Sequence, residues 1–378
     1  MKIAGIIAEY NPFHNGHQYQ ILKTREAGAT HIVAVMSGNC VQRGEIALCD
    51  KHTRAQAAIK GGADLVLELP VPFSLGTAPD FAKAGVEILS KLGCVDMLSF
   101  GSECGNIDEL INLADKIDTL SENDIKSAMA KGLTYPAAIA SLLDEGRGEL
   151  LNGANNTLAI EYLKAIKGTS ITPFTVKRTT PHDSDELNTN FASASHIREV
   201  IRRGGEAGNF TPMALTKADV TDIKNIEPAI LYRLAMMTKD DFADVPYTDG
   251  FESRLFEASQ NAATLNELYD RVKTKNITHA RVRRAVMLAS LGVTKKDMQS
   301  VPYARILAMN TRGAEVLSVS KATTKIAVSA SLAALSQISG EAERLAQLDE
   351  LSSRLLHLAL NPKGEYVSEF SKKFEITR

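Results

Sequence analysis

Two histidines three apart, His14 and His17, stand in the segment Glu9-Tyr10-Asn11-Pro12-Phe13-His14-Asn15-Gly16-His17, directly after an apolar run and before the amphipathic stretch Gln18–Ala27. A glycine between two imidazoles at the start of a helix lets the backbone approach an anion, and the free helix N–H groups and dipole add to the attraction. Both imidazoles can donate to an α-phosphate and to a departing pyrophosphate as charge builds there. That is electrostatic stabilisation of an in-line displacement, and it needs no base. The bare spacing also fits a capped turn or half of a metal site; its place after a first strand and before a helix favours the phosphate reading.

A second constellation is Ser193-Ala194-Ser195-His196-Ile197-Arg198. Ser193 and Ser195 can cap a helix or bind phosphate oxygens, and Arg198, one turn on, can neutralise β- and γ-phosphates. Alone this reads as a helix cap. Joined to the histidine turn, it reads as the second half of one adenylylating site. Gln42, Arg43 and Lys51 follow the second apolar run, where they can hold a carboxylate or pyrophosphate, a solvated loop being the alternative; His182-Asp183 reads as a surface loop before it reads as a catalytic pair. There is no GxxxxGK[ST], and no GxGxxG follows the first strand, which disfavours a P-loop NTPase and a nicotinamide dehydrogenase.

The elements that must position these residues follow from spacing. Apolar runs at Ile3–Ala8, His31–Met36, Asp64–Leu69 and Val95–Phe100 recur about every 30 residues with helix-like segments between them, as in βαβ units, and Thr172–Arg178 is a fifth candidate strand. Residues 106–167 have helical spacing and read as an insertion before that last strand. The glycine- and charge-rich segment Arg202–Asn209 reads as a domain boundary, which gives a first domain over 1–204 and a second over 205–378, helical from Asp219 to about Leu360 with a loosely attached polar tail.

The 378 residues, 44% hydrophobic and 23% charged, suit a folded protein of two or three domains and exclude a disordered or collagen-like chain. Four cysteines without CxxC spacing argue for reduced thiols rather than zinc or disulfides. No leader or membrane-spanning run is evident, so a cytoplasmic protein without membrane contact is expected. A net charge of -2 excludes a bulk polyanion binder, yet Arg271–Lys325 holds twelve Lys or Arg against two acids. Arg281, Arg283 and Arg284, with Arg305 and Arg312 nearby, read as an RNA-binding face.

The chain resembles the HxGH nucleotidyltransferases, relatives of the class I aminoacyl-tRNA synthetase core, and within them the tRNA(Met) cytidine acetate ligases, over nearly its whole length. The matching segments are Gly5–His17, Met36-Ser37-Gly38-Asn39, Gln42-Arg43-Gly44-Glu45, Asp50-Lys51 with Arg54, Gly62–Pro70, Phe100-Gly101-Ser102-Glu103, Asn155-Asn156 with Ala159-Ile160-Glu161-Tyr162, and Ser193–Arg198. The resemblance implies an α/β fold: a Rossmann-like parallel-sheet nucleotidyltransferase core followed by an α-helical domain.

It also implies a reaction in which ATP and acetate give acetyl-adenylate and pyrophosphate, and the acetyl group passes to N4 of the wobble cytidine of elongator tRNA(Met). By resemblance, ATP is held by Ile7-Ala8-Glu9-Tyr10-Asn11-Pro12-Phe13-His14-Asn15-Gly16-His17-Gln18-Tyr19-Gln20 and by Gly101, Asn155 and Arg178. Mg2+ is expected to accompany the phosphates, since no carboxylate cluster offers a dedicated cage, and a homodimer is a family-level expectation. Two other readings stay open: an adenylyltransferase for a small phosphorylated substrate, and a non-catalytic RNA-binding protein on a nucleotide fold.

Overall fold

The five apolar runs of the first 178 residues become strands of one sheet in the computed structural model, which describes residues 1–131, 133, 135–143, 148–178, 190–360, 364–374 and 376. They are β1 (Ile3–Ala8), β2 (His31–Ser37), β5 (Leu65–Leu69), β6 (Met97–Ser102) and β7 (Thr172–Lys177), with a two-stranded hairpin, β3 (Cys40–Val41) and β4 (Glu45–Ile46), after β2. Side chains alternate between two apolar layers. Ile3 and Ile7 pack with Val33, Val35 and Leu67 on one face, whereas Ala4 and Ile6 pack with Ile32, Ala34 and Val66 on the other. Both faces are covered, which is why these strands read as unbroken apolar runs.

The sheet order is β7-β6-β1-β2-β5, and two further strands complete the sheet beyond β5. The last two strands, β8 (Tyr303–Met309) and β9 (Ala327–Ser329), come from the half of the chain expected to be helical. β8 pairs antiparallel with β5, Glu68 lying opposite Arg305, whereas β1, β2, β5, β6 and β7 pair in parallel. The arginine is what obscured the strand. Tyr303-Ala304-Arg305-Ile306-Leu307 places a cation inside an apolar run, and that cation is 1% exposed between Glu68 and Glu369.

The expected insertion is helical, with helices at Ile107–Asp118 and Ala154–Ile166 packed on each other before β7. In the second half, helices Glu227–Ala235, Glu252–Asn261, Leu265–Val272 and His279–Leu291 build their own core around Leu234, Leu255, Leu268 and Val286. The Gly340–Ala359 helix joins the two bodies: Leu345 and Ala346 enter the sheet core, Leu348 and Leu356 the helical one. Each such fully buried leucine stabilises by about 1.5–3 kcal/mol.

Among the described residues of the tail, Glu369 is firmly anchored. Glu369 is 2% exposed, and its carboxylate meets Arg305 at 2.7 Å, His52 at 3.0 Å and Lys51 at 3.5 Å. Burial pushes the Glu369 carboxyl up, but Lys51, the His52 hydrogen bond and Arg305 outweigh it and hold the group well below the usual carboxylate range. Among the described residues no helix is long and apolar enough to cross a membrane.

Candidate active site

β1 is the strand at which the sheet order reverses, with β2 on one side and β6 on the other. Ligands of open α/β sheets sit at the carboxyl ends of the strands at such a point. The turn leaving β1 carries the histidines. His14 is the N-cap of the Asn15–Glu26 helix, its Nδ1 accepting the Gly16 N–H at 3.1 Å, and His17 Nδ1 accepts the backbone N–H of His14 at 3.2 Å. Each ring therefore carries its proton on Nε2 when neutral. Gly16 is required by this packing, since a Cβ there would lie 2.9 Å from His14 Cε1.

The two rings stack with centroids 3.7 Å apart, and Tyr10 meets His17 edge-on at 4.8 Å. Burial, with Arg178 and Arg198 behind it, lowers the His14 pKa to about 4; burial, then His14 and Arg178, lower His17 well below its ordinary value. Both imidazoles are thus neutral N–H donors at neutral pH.

A cavity of about 620 Å3 opens over them, lined by His14, Gly16, His17, Tyr19, Gln20, Gly101, Asn155, Arg178 and Ser193, with Phe191 and Phe210 as aromatic wall. Gly101 is the next-to-last residue of β6, where a Cβ would lie 3.3 Å from the Arg178 side chain. Asn155 begins the Ala154–Ile166 helix and is held by Glu103, which also lines the cavity. The matching segment Phe100–Glu103 marked Glu103 without its role, because its partner lies 52 residues away.

A second cavity, of about 220 Å3, shares His17, Gln20, Gly101, Asn155 and Arg178 with the first and extends to Ile7, Ala8, Glu9, Tyr10, Asn11, Gln42 and Arg43. Arg54, buried beneath, fixes this end: it donates to Glu9 O at 2.8 Å, to Ser37 O at 3.1 Å and to Gly38 O. The nucleotide segment expected over residues 7–20 is therefore divided between two cavities. Pro12 and Phe13 are buried under the turn, Gln18 is exposed and lines neither cavity, and Asn15 ties the turn to Asn190 O and Asn209 O, both at 2.9 Å. That last contact, with Thr211 Oγ1 donating to Phe13 O at 2.6 Å, packs the expected interdomain link against the site itself.

Ser195 and Arg198 differ from expectation. Arg198 donates to Asn11 O at 2.7 Å and to Ser195 Oγ at 3.1 Å, and both residues line a third cleft of about 480 Å3 with Arg43, Arg202, Arg203 and Arg283. This cleft gathers arginines from three distant segments. Arg202 and Arg203 were legible only as part of a linker.

The expected RNA face is only partly present. Arg283 reaches the cleft and pairs with Glu45 at 3.3 Å. Arg281 is spent on Tyr247 O and Asp249 O and lies over Phe251; Arg284 lies over Tyr247. Arg312 is exposed, but its helix begins against Asp64, at the amino end of β5 and thus the opposite edge of the sheet. Arg305 and Lys51 are corrected outright: both are buried in the ion cluster with Glu68 and Glu369, because β8 and Glu369 close over them, and neither lines the cavities described above. His182-Asp183 lies outside the described residues.

Gly44 couples the β3–β4 turn to the arginine helix. With φ at +74° it sits in left-handed backbone, and a Cβ there would run into the backbone of Arg283 and Arg284.

A family model described as HIGH Nucleotidyl Transferase matches residues 1–369. The chain is 34% identical to the tRNA(Met) cytidine acetate ligase of Acetivibrio thermocellus, covering 86% of this chain and 87% of that protein. It is 37% identical to the ligase of the same name from Thermoanaerobacter sp., covering 84% and 85%, and 33% identical to that of Clostridium tetani, covering 99% of each. The crystal structure of Thermotoga maritima TmcAL bound with alpha-thio ATP superimposes on all of this chain with a TM-score of 0.89 at 26% identity.

Proposed function

The chain belongs to the HIGH nucleotidyl transferases and, within them, to the tRNA(Met) cytidine acetate ligases, and from that premise we propose that it activates acetate with ATP and transfers the acetyl group to N4 of the wobble cytidine of elongator tRNA(Met). It is a ligase. The observation that carries the reading is the stacked His14–His17 pair, its Nε2–H donors lining a cavity at the switch point of the sheet.

In the first step an acetate oxygen attacks the α-phosphorus of ATP and pyrophosphate leaves with the electrons of the broken P–O bond. No proton need move, which suits two neutral imidazoles acting as donors to oxygens that gain charge. The N-terminus of the Asn15–Glu26 helix adds its dipole, and Arg178 and Asn155 flank the nucleotide. In the second step the cytidine amine takes the acetyl group and AMP leaves. Among the described residues no three His, Cys, Asp or Glu side chains converge into a metal cage, so Mg2+ would enter on the triphosphate and no step here depends on a protein-held ion.

The test is incubation of purified protein with ATP, Mg2+, carbon-labelled acetate and bulk tRNA, read by nucleoside mass spectrometry. Labelled N4-acetylcytidine that requires both ATP and acetate is the expected result. Pyrophosphate release without labelled tRNA would sink the acceptor assignment and favour a small-molecule adenylyltransferase.

A further inference from the structure

The smaller cavity keeps two polar side-chain atoms for which the protein supplies no partner. Tyr10 Oη, on a residue 1% exposed, and Gln42 Nε2 are both buried and unpaired, and both residues line this cavity. A buried polar atom without a partner costs about 1–3 kcal/mol. Two of them around one cavity point to a ligand that supplies the missing partners.

Glu9 brings an acceptor to the same place. Its Oε1 receives the backbone N–H of Gln42 at 2.9 Å, and Arg54 holds its carbonyl, so the carboxylate is fixed at the end of β1. Burial pushes the Glu9 carboxyl up, against the opposing effects of the Gln42 N–H, Arg198 and Arg43, which makes it the better proton acceptor. Phe81, Phe100, Leu158 and Tyr162 add an aromatic and aliphatic stretch to the wall. At about 220 Å3 the space is below the ~300 Å3 where pockets for drug-sized ligands begin, small for a second whole nucleotide.

Resting on the ligase reading above, we propose that this cavity receives the acceptor cytosine turned out of the RNA, with Glu9 accepting the N4 proton and with Gln42 and Tyr10 donating to the N3 and O2 edge. The donor and acceptor pattern is the argument. Cytosine offers an N4 amine that a carboxylate accepts from, and two acceptors beside it that need donors. Uracil would turn its O4 toward the Glu9 carboxylate and its N3–H toward the donors, and would be rejected on both counts. Entry is from the arginine cleft, because Arg43 lines both that cleft and this cavity.

The step balances within the site. The N4 lone pair attacks the carbonyl carbon of acetyl-adenylate and forms the N–C bond. The bond from that carbon to the phosphate oxygen breaks, and AMP leaves with its electron pair. The N4 proton passes to the Glu9 carboxylate and from there to solvent.

The test separates the two half-reactions on the full chain. Acetate-dependent exchange of labelled pyrophosphate into ATP reads activation, and transfer of labelled acetate to a tRNA(Met) transcript reads the second step. For Glu9→Gln, which keeps the shape and an oxygen for the Gln42 N–H, the ratio of transfer to exchange is expected to fall about 100-fold or more. For Tyr10→Phe, which removes one donor, the ratio is expected to fall about tenfold. A ratio unchanged in both variants overturns the proposal, by assigning these residues to the adenylate alone. Wild-type protein that exchanges pyrophosphate but labels no tRNA overturns instead the acceptor reading on which the proposal rests.

Discussion

Glu103 grips Asn155 twice, its Oε1 accepting both the backbone N–H at 3.1 Å and the side-chain amide at 2.6 Å, while Oε2 takes the Asn156 N–H at 2.6 Å. Asn156 returns the contact, its Oδ1 accepting the N–H groups of Glu103 and Cys104. One carboxylate thus caps the Ala154–Ile166 helix and orients an amide that borders the larger cavity.

Glu103 is therefore a positioning residue. Glu103→Ala should raise the KM for ATP about tenfold while kcat falls less, and thermal melting should show a loss of about 1–2 kcal/mol from the missing cap. Pyrophosphate exchange at varied ATP checks it. A fall in kcat with KM unchanged would place the carboxylate in the chemistry instead.

The histidine pair makes a sharper demand on the rate. Each ring contributes one Nε2–H, so His14→Ala or His17→Ala should cost about 100- to 1,000-fold in acetate-dependent exchange, as for removal of one donor from an oxyanion site. tRNA binding, measured by filter retention, should be kept. His14→Asn, which restores an N–H donor, should recover part of the loss; equal inactivity of Ala and Asn would argue against a donor role.

Their burial also predicts how stability varies with pH. The unfolded chain takes up a proton at His14 near pH 6.5, while the folded chain resists until about pH 4. Between those values the unfolded state holds more protons, so stability falls as pH falls. The loss reaches at most about 3 kcal/mol for His14. The difference in melting temperature between wild type and His14→Asn isolates this imidazole from the buried carboxyls that titrate in the same range. That difference should shrink from pH 7 to pH 5, and a difference independent of pH would refute the buried neutral assignment.

The core strands and the histidine turn were legible because their signals are local: apolar runs of five to seven residues, and a glycine between two imidazoles at a helix start. What was not legible depends on contacts across the chain. Arg305 looked like surface charge because its counter-ions, Glu68 and Glu369, lie 237 and 64 residues away. Arg198 read as a phosphate ligand from its neighbours alone, whereas its contact with Asn11 O spans 187 residues and sets it in the arginine cleft. Arg202 and Arg203 looked like a linker, since only the fold brings them beside Arg43 and Arg283. Charge counted along a sequence cannot separate a buried cation from one that meets a polyanion.

That distinction can be measured directly with Arg305 and Arg202. Arg202 borders an open cleft whose other walls are mostly cationic, so it should neutralise one RNA phosphate and release its counterions. Arg202→Ala should weaken tRNA binding at low salt and reduce the slope of log K against log salt by about 1, and Arg203→Ala should do the same. Arg305→Met removes one of the two buried cations set against Glu68 and Glu369 and leaves Lys51 to face both carboxylates, which should cost about 3–5 kcal/mol in a urea melt. Its salt slope, taken on the fraction that stays folded, should equal that of wild type. A reduced slope for Arg305→Met would return this arginine to the RNA surface, and an undiminished slope for both Arg202→Ala and Arg203→Ala would remove the cleft from the path of the tRNA.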